Sequence, residues 1–394
     1  MKILFLLILF LNCRSGQSDL SKQTTALNIL IFNRLNTTNL SSYNWNLPPG
    51  FPTPIVPAEN PMSNEKVELG RFLFYDKNLS QNQTQSCSSC HIQSLAFTDG
   101  KAVGIGSTGQ AHPRNSQNLA NVVYASRLTW ANNKLLTLEQ QARVPMFGEN
   151  PIELGLTNNE YINRISSDSK YRELFSKAFG GGTEMINEQN IRFAISSFQR
   201  SLISGNSRVD RYTNYGEKNA LTASEIRGME IYNGETAECF HCHGGFNFAD
   251  SVNHLGLRNE TVLYHNNGIK SQAEYAVLSA NQRGLYEVTG LQSDEGKFKA
   301  PSLRNIARTF PYMHDGSVTC TTASPTNIEA CSTEALTKVV EHYMSGGKSH
   351  PNKDSSLIRP FSLSAGEKTD LVNFLKALTD NEFITNTKFS NPNK

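Results

Sequence analysis

The chain has 394 residues, of which 38% are apolar and 18% charged. That length suits about two domains, and the apolar fraction is too high for a chain disordered throughout. Lys and Arg number 37 against 35 Asp and Glu, a net charge of +2; this excludes a broad basic surface for nucleic acid and an acidic solvating chain.

Residues 1–12 read as an export signal: Lys2 gives the positive start, and Ile3 to Leu11 form an apolar run too short to span a bilayer. Cys13 follows at once, as in bacterial lipoprotein signals, where that cysteine becomes the acylated first residue. The alternative is an ordinary secretory signal that discards Cys13. Beyond residue 12 there is no run of 18 apolar residues, so a lipid at Cys13 is the one membrane link expected. Residues 13–61 are polar, with Pro48, Pro49, Pro52, Pro54 and Pro57 near the end, and read as a tether and wrapping segment.

Ser63 to Tyr75 reads as a helix. A Gln/Asn/Ser-rich loop then enters Cys87-Ser88-Ser89-Cys90-His91. Gly104-Ile105-Gly106-Ser107-Thr108-Gly109 matches the spacing of a dinucleotide fingerprint, but no βαβ unit surrounds it and His112-Pro113 follows instead of a helix; it reads as a loop. Ile191, Ala194, Ile195, Phe198 and Leu202 place helical spacing over Asn190 to Ser204. Thr222-x-x-Glu225 is a capping box opening a helix to about Asn233, and a short loop leads to Cys239-Phe240-His241-Cys242-His243. Leu336, Val339, Val340 and Tyr343 share one helix face. Ser364-x-x-Glu367 caps a last helix carrying Leu371, Phe374, Leu375 and Leu378.

C-x-x-C-H is the c-type haem attachment motif: the thiols add to the haem vinyl groups and the histidine is delivered to the iron. Chance predicts on the order of 0.003 such motifs in this composition, so two point to two covalent haems on Cys87, Cys90 and His91 and on Cys239, Cys242 and His243. A shared Cys₄ zinc site would need far closer motifs. Cys320 and Cys331 close a polar loop, Thr321 to Ala330, and read as a structural disulfide of an oxidising compartment. Helix, loop and haem motif occur twice and strand patterns are few. The expected fold is mainly α: two cytochrome c-like haem domains, 62–212 and 213–394, with long loops and few short strands.

Pro113-Arg114-Asn115-Ser116, Leu128-Thr129-Trp130, Glu139-Gln140-Gln141-Ala142, Asn150-Pro151-Ile152-Glu153, Pro301-Ser302-Leu303-Arg304-Asn305 and Pro311-Tyr312-Met313-His314-Asp315-Gly316, in this order and with both haem motifs, resemble the bacterial diheme cytochrome c peroxidase family, which includes MauG-like members. The resemblance covers roughly residues 62–385. It implies a peroxidatic N-terminal haem on His91 and an electron-relaying C-terminal haem on His243. It also implies Glu153 as distal acid/base, Gln141 as its hydrogen-bonding partner and Trp130 as the bridge between haems. A calcium site would take Asn115 and the backbone carbonyls of Thr309 and Pro311. His314 matches a loop residue of open role.

Classical members carry a distal histidine where Thr108 aligns, so an open peroxidatic haem is favoured; His112, four residues on, is the alternative as a swinging ligand. The sixth ligand of the second haem aligns with Tyr343, the MauG-like choice; Met344 becomes available on a one-residue slip. Met raises a haem potential and an anionic Tyr oxygen lowers it. The implied function is reduction of hydrogen peroxide with electrons from a small cytochrome c or cupredoxin, in the periplasm or outer envelope. MauG-like oxidation of a protein side chain and a non-catalytic electron carrier are the alternatives, and a homodimer is left open.

Overall fold

A computed structural model describes residues 43–393, apart from 259, 261 and 325. The export signal, Cys13 and the first part of the tether lie outside the described residues. The chain is mainly helical, and its only extended pairings among the described residues are isolated bridges such as Ile105–Ala111 and Tyr312–Val318.

The longer helices are α1 (Asn64–Tyr75), α2 (Glu160–Ser167), α3 (Ser169–Phe179), α4 (Glu188–Arg200), α5 (Ala223–Tyr232), α6 (Ile328–Met344) and α7 (Ala365–Ala377). Their starts are written in the caps. Ser63 accepts the Lys66 N–H at α1, and Thr222/Glu225 and Ser364/Glu367 form reciprocal capping boxes at α5 and α7. The helix expected over Asn190 to Ser204 starts earlier and stops sooner. Asn187 supplies the cap by accepting the Asn190 N–H. Beyond Arg200 the backbone turns away, and the buried Ser204 N–H goes to Asn121 Oδ1 at 2.8 Å. The Cys320–Cys331 disulfide forms. The segment it closes is not all loop, because α6 already begins at Ile328, capped by Asn327.

The buried apolar side chains form two principal clusters. One gathers Leu69, Phe74, Phe97, Phe175, Ile195 and Phe198; the other gathers Tyr232, Phe310, Leu336, Val340, Leu371 and Phe374. Each is organised around a crossed helix pair whose backbones meet at a glycine. A Cβ on Gly70 of α1 would lie 1.9 Å from the Ala194 carbonyl oxygen of α4, and one on Gly228 of α5 would lie 2.0 Å from that of Asp370 in α7. Only hydrogen fits there, so the crossing positions the loops that follow α1 and α5, which carry the two haem motifs.

Between the clusters the connections are polar and satisfied. Asp380 Oδ2 accepts from the Ser204 hydroxyl and the Gly205 and Asn206 N–H groups at 3.0–3.1 Å. Arg304 meets Asp210 through two buried bonds of 2.9 and 3.0 Å. The described part of the proline-rich segment touches both regions: Tyr124 donates to Pro52 O at 2.7 Å and the Leu255 N–H to Thr53 O at 2.9 Å. Among the described residues no helix is long and apolar enough to cross a membrane.

Candidate functional site

Both C-x-x-C-H motifs open onto one cavity of about 430 Å³. His91 follows a single helical turn, Cys87–Cys90. Its Nδ1 lies 2.7 Å from the carbonyl oxygen of Phe97, which is presented by left-handed backbone at Ala96 and Phe97 (φ 51° and 63°). His243 is held the same way, with Nδ1 3.0 Å from Pro301 O. A ring that donates through Nδ1 to a carbonyl keeps its Nε2 lone pair for a metal. Burial lowers the pKa of both rings, favouring the neutral form that ligates iron.

Among the described residues four cysteines, Cys87, Cys90, Cys239 and Cys242, lie outside the disulfide. Burial pushes the Cys87 and Cys239 thiols up to about 12.

Two buried nitrogens on the cavity wall bear on whether a haem fits. Lys299 is 8% exposed, and burial lowers its ammonium to about 8. The other lysine and arginine side chains lining the cavity have carboxylate partners: Arg114 with Glu287, Arg127 with Glu260 and Arg359 with Glu238. Among the described residues no carboxylate lies within ion-pair distance of Lys299. His314 stacks on Phe298 with centroids 3.6 Å apart. Its Nε2 is buried without a partner, and burial lowers the ring to about 3. A buried nitrogen without a partner, as at His314 Nε2, is costly unless a ligand satisfies it. Haem brings carboxylates in its propionates, so the donor set fits.

On the first-motif side, Glu153 and Gln141 both line the cavity. Gln141 ends the turn Leu138–Gln141, opened by a Thr137/Gln140 capping box. Burial raises the Glu153 carboxyl to about 7. The His112 ring lies beside it, with Nε2 3.7 Å from Oε1.

On the second-motif side, Tyr343 lines the cavity, whereas Met344 packs into the second apolar cluster. Asn267 Nδ2 donates to the Tyr343 hydroxyl at 3.3 Å and to Met313 Sδ at 3.5 Å. Burial raises the phenol to about 12, while Asn267 works the other way by supporting the anion. Sequence reasoning missed Asn267, because it lies in a loop without periodicity. It also missed His265, held between Asp250 and Asp354 at 2.7 Å each and beside Cys242. Burial opposes charge on this ring, yet these neighbours raise it to about 11.

Trp130 and Asn115 stand on the same cavity wall. The indole Nε1–H donates to Asn115 O at 2.7 Å, and the Asn115 N–H donates to His314 O at 2.8 Å. Asn115 Nδ2 donates to the carbonyls of Lys101 and Ala102 at 2.8 and 3.2 Å, which leaves Oδ1 as its accepting end. Thr309 and Pro311 line the cavity as well.

Residues 64–219 match the sequence model of a family described as di-haem cytochrome c peroxidase. Cytochrome-c peroxidase IdrP1 of Pseudomonas sp. (strain SCT) is 36% identical over 353 residues, covering 85% of this chain and 86% of that protein. The chain belongs to the di-haem cytochrome c peroxidase family. Methylamine utilization protein MauG of Methylorubrum extorquens is 31% identical, over 82% of this chain and 80% of its own. The crystal structure of a MauG-like protein associated with microbial copper homeostasis superposes with a TM-score of 0.81 at 44% identity, covering 89% of this chain and all of the other. Membership in a di-haem cytochrome c family implies two c-type haems, one for each motif.

Proposed function

We propose that this di-haem protein reduces hydrogen peroxide to water in the pocket beside His91, with electrons that arrive from a small cytochrome c or cupredoxin at the His243 side and pass Trp130. The haems, when bound, supply the redox-active iron. His91 and His243 would each give one Nε2, Tyr343 would complete the second site, and Lys299 and His314 would meet carboxylates.

The observation that carries this reading is Glu153, a carboxyl raised to about 7 in the cavity. Peroxide cleavage needs a group that takes a proton from the near oxygen and returns it to the leaving one, and such a group works best with a pKa close to the ambient pH. Gln141 would orient peroxide by donating to it. A simple electron carrier has no use for this machinery. The test is steady-state peroxide consumption by the two-haem protein with reduced cytochrome c. Turnover lost in Glu153→Gln supports the reading, and a wild-type protein that consumes no peroxide rejects it.

Oxidation of a protein side chain is the second reading, favoured by Tyr343 at the cavity and by the resemblance to MauG-like proteins. A tyrosinate ligand stabilises the higher oxidation states of iron. The two separate by product: after peroxide addition, a modified residue on a partner protein supports the second reading.

Finer assignments belong with this proposal. The haem domains would span 62–212 and 213–394. A calcium ion would take Asn115 Oδ1 and the carbonyls of Thr309 and Pro311, a hard-oxygen set. Export is supported by the Cys320–Cys331 disulfide, and palmitate labelling tests a lipid at Cys13.

A further inference from the structure

The glycine-rich segment that mimics a dinucleotide fingerprint has a different use here. Residues 104–112 form a tight hairpin, closed by Gly106 N–H to Gln110 O and His112 N–H to Gly104 O, both 2.8 Å. The hairpin grips the loop that carries Glu153. A Cβ on Gly106 would lie 1.8 Å from the Ile152 carbonyl oxygen. The Ser107 N–H donates to Glu153 O at 2.7 Å, and the Ile152 N–H donates to Gln110 Oε1 at 2.9 Å. The two loops are therefore locked in register, and the hairpin ends at His112 with Nε2 3.7 Å from Glu153 Oε1.

The ring is oriented by its other nitrogen. The Arg114 N–H, which can only donate, lies 3.1 Å from His112 Nδ1, and the neutral tautomer that accepts this bond carries its proton on Nε2, facing Glu153. The Arg114 carbonyl lies 3.2 Å from the same Nδ1 and can accept when the ring takes a second proton. The backbone thus serves both protonation states. Both side chains line the cavity.

We propose that His112 is the positioning and proton-supplying partner of Glu153, feeding protons from solvent through Nε2 to Oε1. The proposal rests on the peroxidase reading. In H₂O₂ + 2 H⁺ + 2 e⁻ → 2 H₂O the O–O bond breaks and two O–H bonds form; the electrons come from the reduced donor protein. Glu153 can move a proton between the peroxide oxygens, but that is not a net supply, so two protons per turnover must come in from water. His112 is the titratable group placed to bring them. This also differs from the swinging-ligand role, which would require Nε2 to leave Glu153 for the iron.

The experiment compares wild type, E153Q, H112A and H112Q as two-haem proteins, with haem content checked by absorbance and peroxide turnover measured with reduced cytochrome c. H112A is expected to lose at least about tenfold in kcat with little change in the KM for peroxide, and added imidazole is expected to restore part of the loss. H112Q keeps an N–H for Glu153 but cannot relay a proton, so it is expected to stay slow. H112A turning over like wild type, H112Q matching wild type, or a low-spin first haem that becomes high-spin in H112A would each overturn the proposal while leaving the peroxidase reading intact. A wild-type protein inert to peroxide would overturn both.

Discussion

The two haem-motif regions are built alike and finished differently. In each, a helix crosses its partner at a glycine, α1 on α4 at Gly70 and α5 on α7 at Gly228. Each then runs into C-x-x-C-H, and the histidine leans on a distant carbonyl, that of Phe97 or Pro301. Across the cavity the likeness ends. The first region presents the Glu153 carboxyl beside the His112 ring. The second presents the Tyr343 phenol, steadied by Asn267. On the proposed reading the shared scaffold would hold a cofactor, and the opposing wall, supplied by irregular loops and by α6, would set whether that cofactor meets a substrate or a fixed side chain.

The sharpest test of this division is Glu153→Gln. It is expected to lower peroxide turnover by about 10²- to 10⁴-fold without moving the potential of the second haem, measured by spectroelectrochemistry. The pH profile carries the sign. A base must be ionised, so kcat/KM in the wild type should climb as pH rises through about 7, where burial sets the Glu153 carboxyl, and that limb should vanish in the variant. A matching limb in Glu153→Gln would assign the base elsewhere.

The next largest effects probe the likeness. One buried ion pair lies in the first region, Arg200 with Glu139 at 2.5 Å, and another joins the two regions, Arg304 with Asp210 at 2.9 Å. Arg200→Met and Arg304→Met each strand a buried carboxylate, at an expected cost of about 3–5 kcal/mol, read by denaturant unfolding of the two-haem protein. Gly70→Ala and Gly228→Ala push a methyl group against a backbone carbonyl and should each cost about 1–3 kcal/mol. Near-equal losses would support equivalent crossings; a loss at one position alone would break the parallel. The smallest change is Tyr343→Met, expected to raise the potential of the second haem only, with no measurable shift in the first.

Much of this was legible in the chain. Ser63, Thr222 and Ser364 announce helices because capping is a local contact between residues three apart, and C-x-x-C-H announces chemistry at fixed spacing. The resemblance then named Glu153, Gln141, Trp130, Tyr343 and Asn115, and all five line one cavity. What stayed hidden is non-local. Asn267 reaches Tyr343 across 76 positions of sequence. Lys299 stands out only because its side chain is buried without a carboxylate, and no periodicity signals that. Asn187 was passed over as a cap because the helix was read from its apolar face, which begins at Ile191. Gly104 to Gly109 reads as a loop from sequence, but the grip of the 104–112 hairpin on Glu153 depends on backbone contacts that no spacing rule encodes.

The short helix Asn381–Thr385 adds something about how such a molecule comes into being. Phe383 and Ile384 belong to the first apolar cluster, Phe383 faces Phe97 with ring centroids 5.6 Å apart, and Gln93 donates to the Asn386 carbonyl at 2.8 Å. The residues just after His91 are therefore braced by a stretch made nearly three hundred residues later. During synthesis the N-terminal half cannot complete its interior until that stretch has been translated.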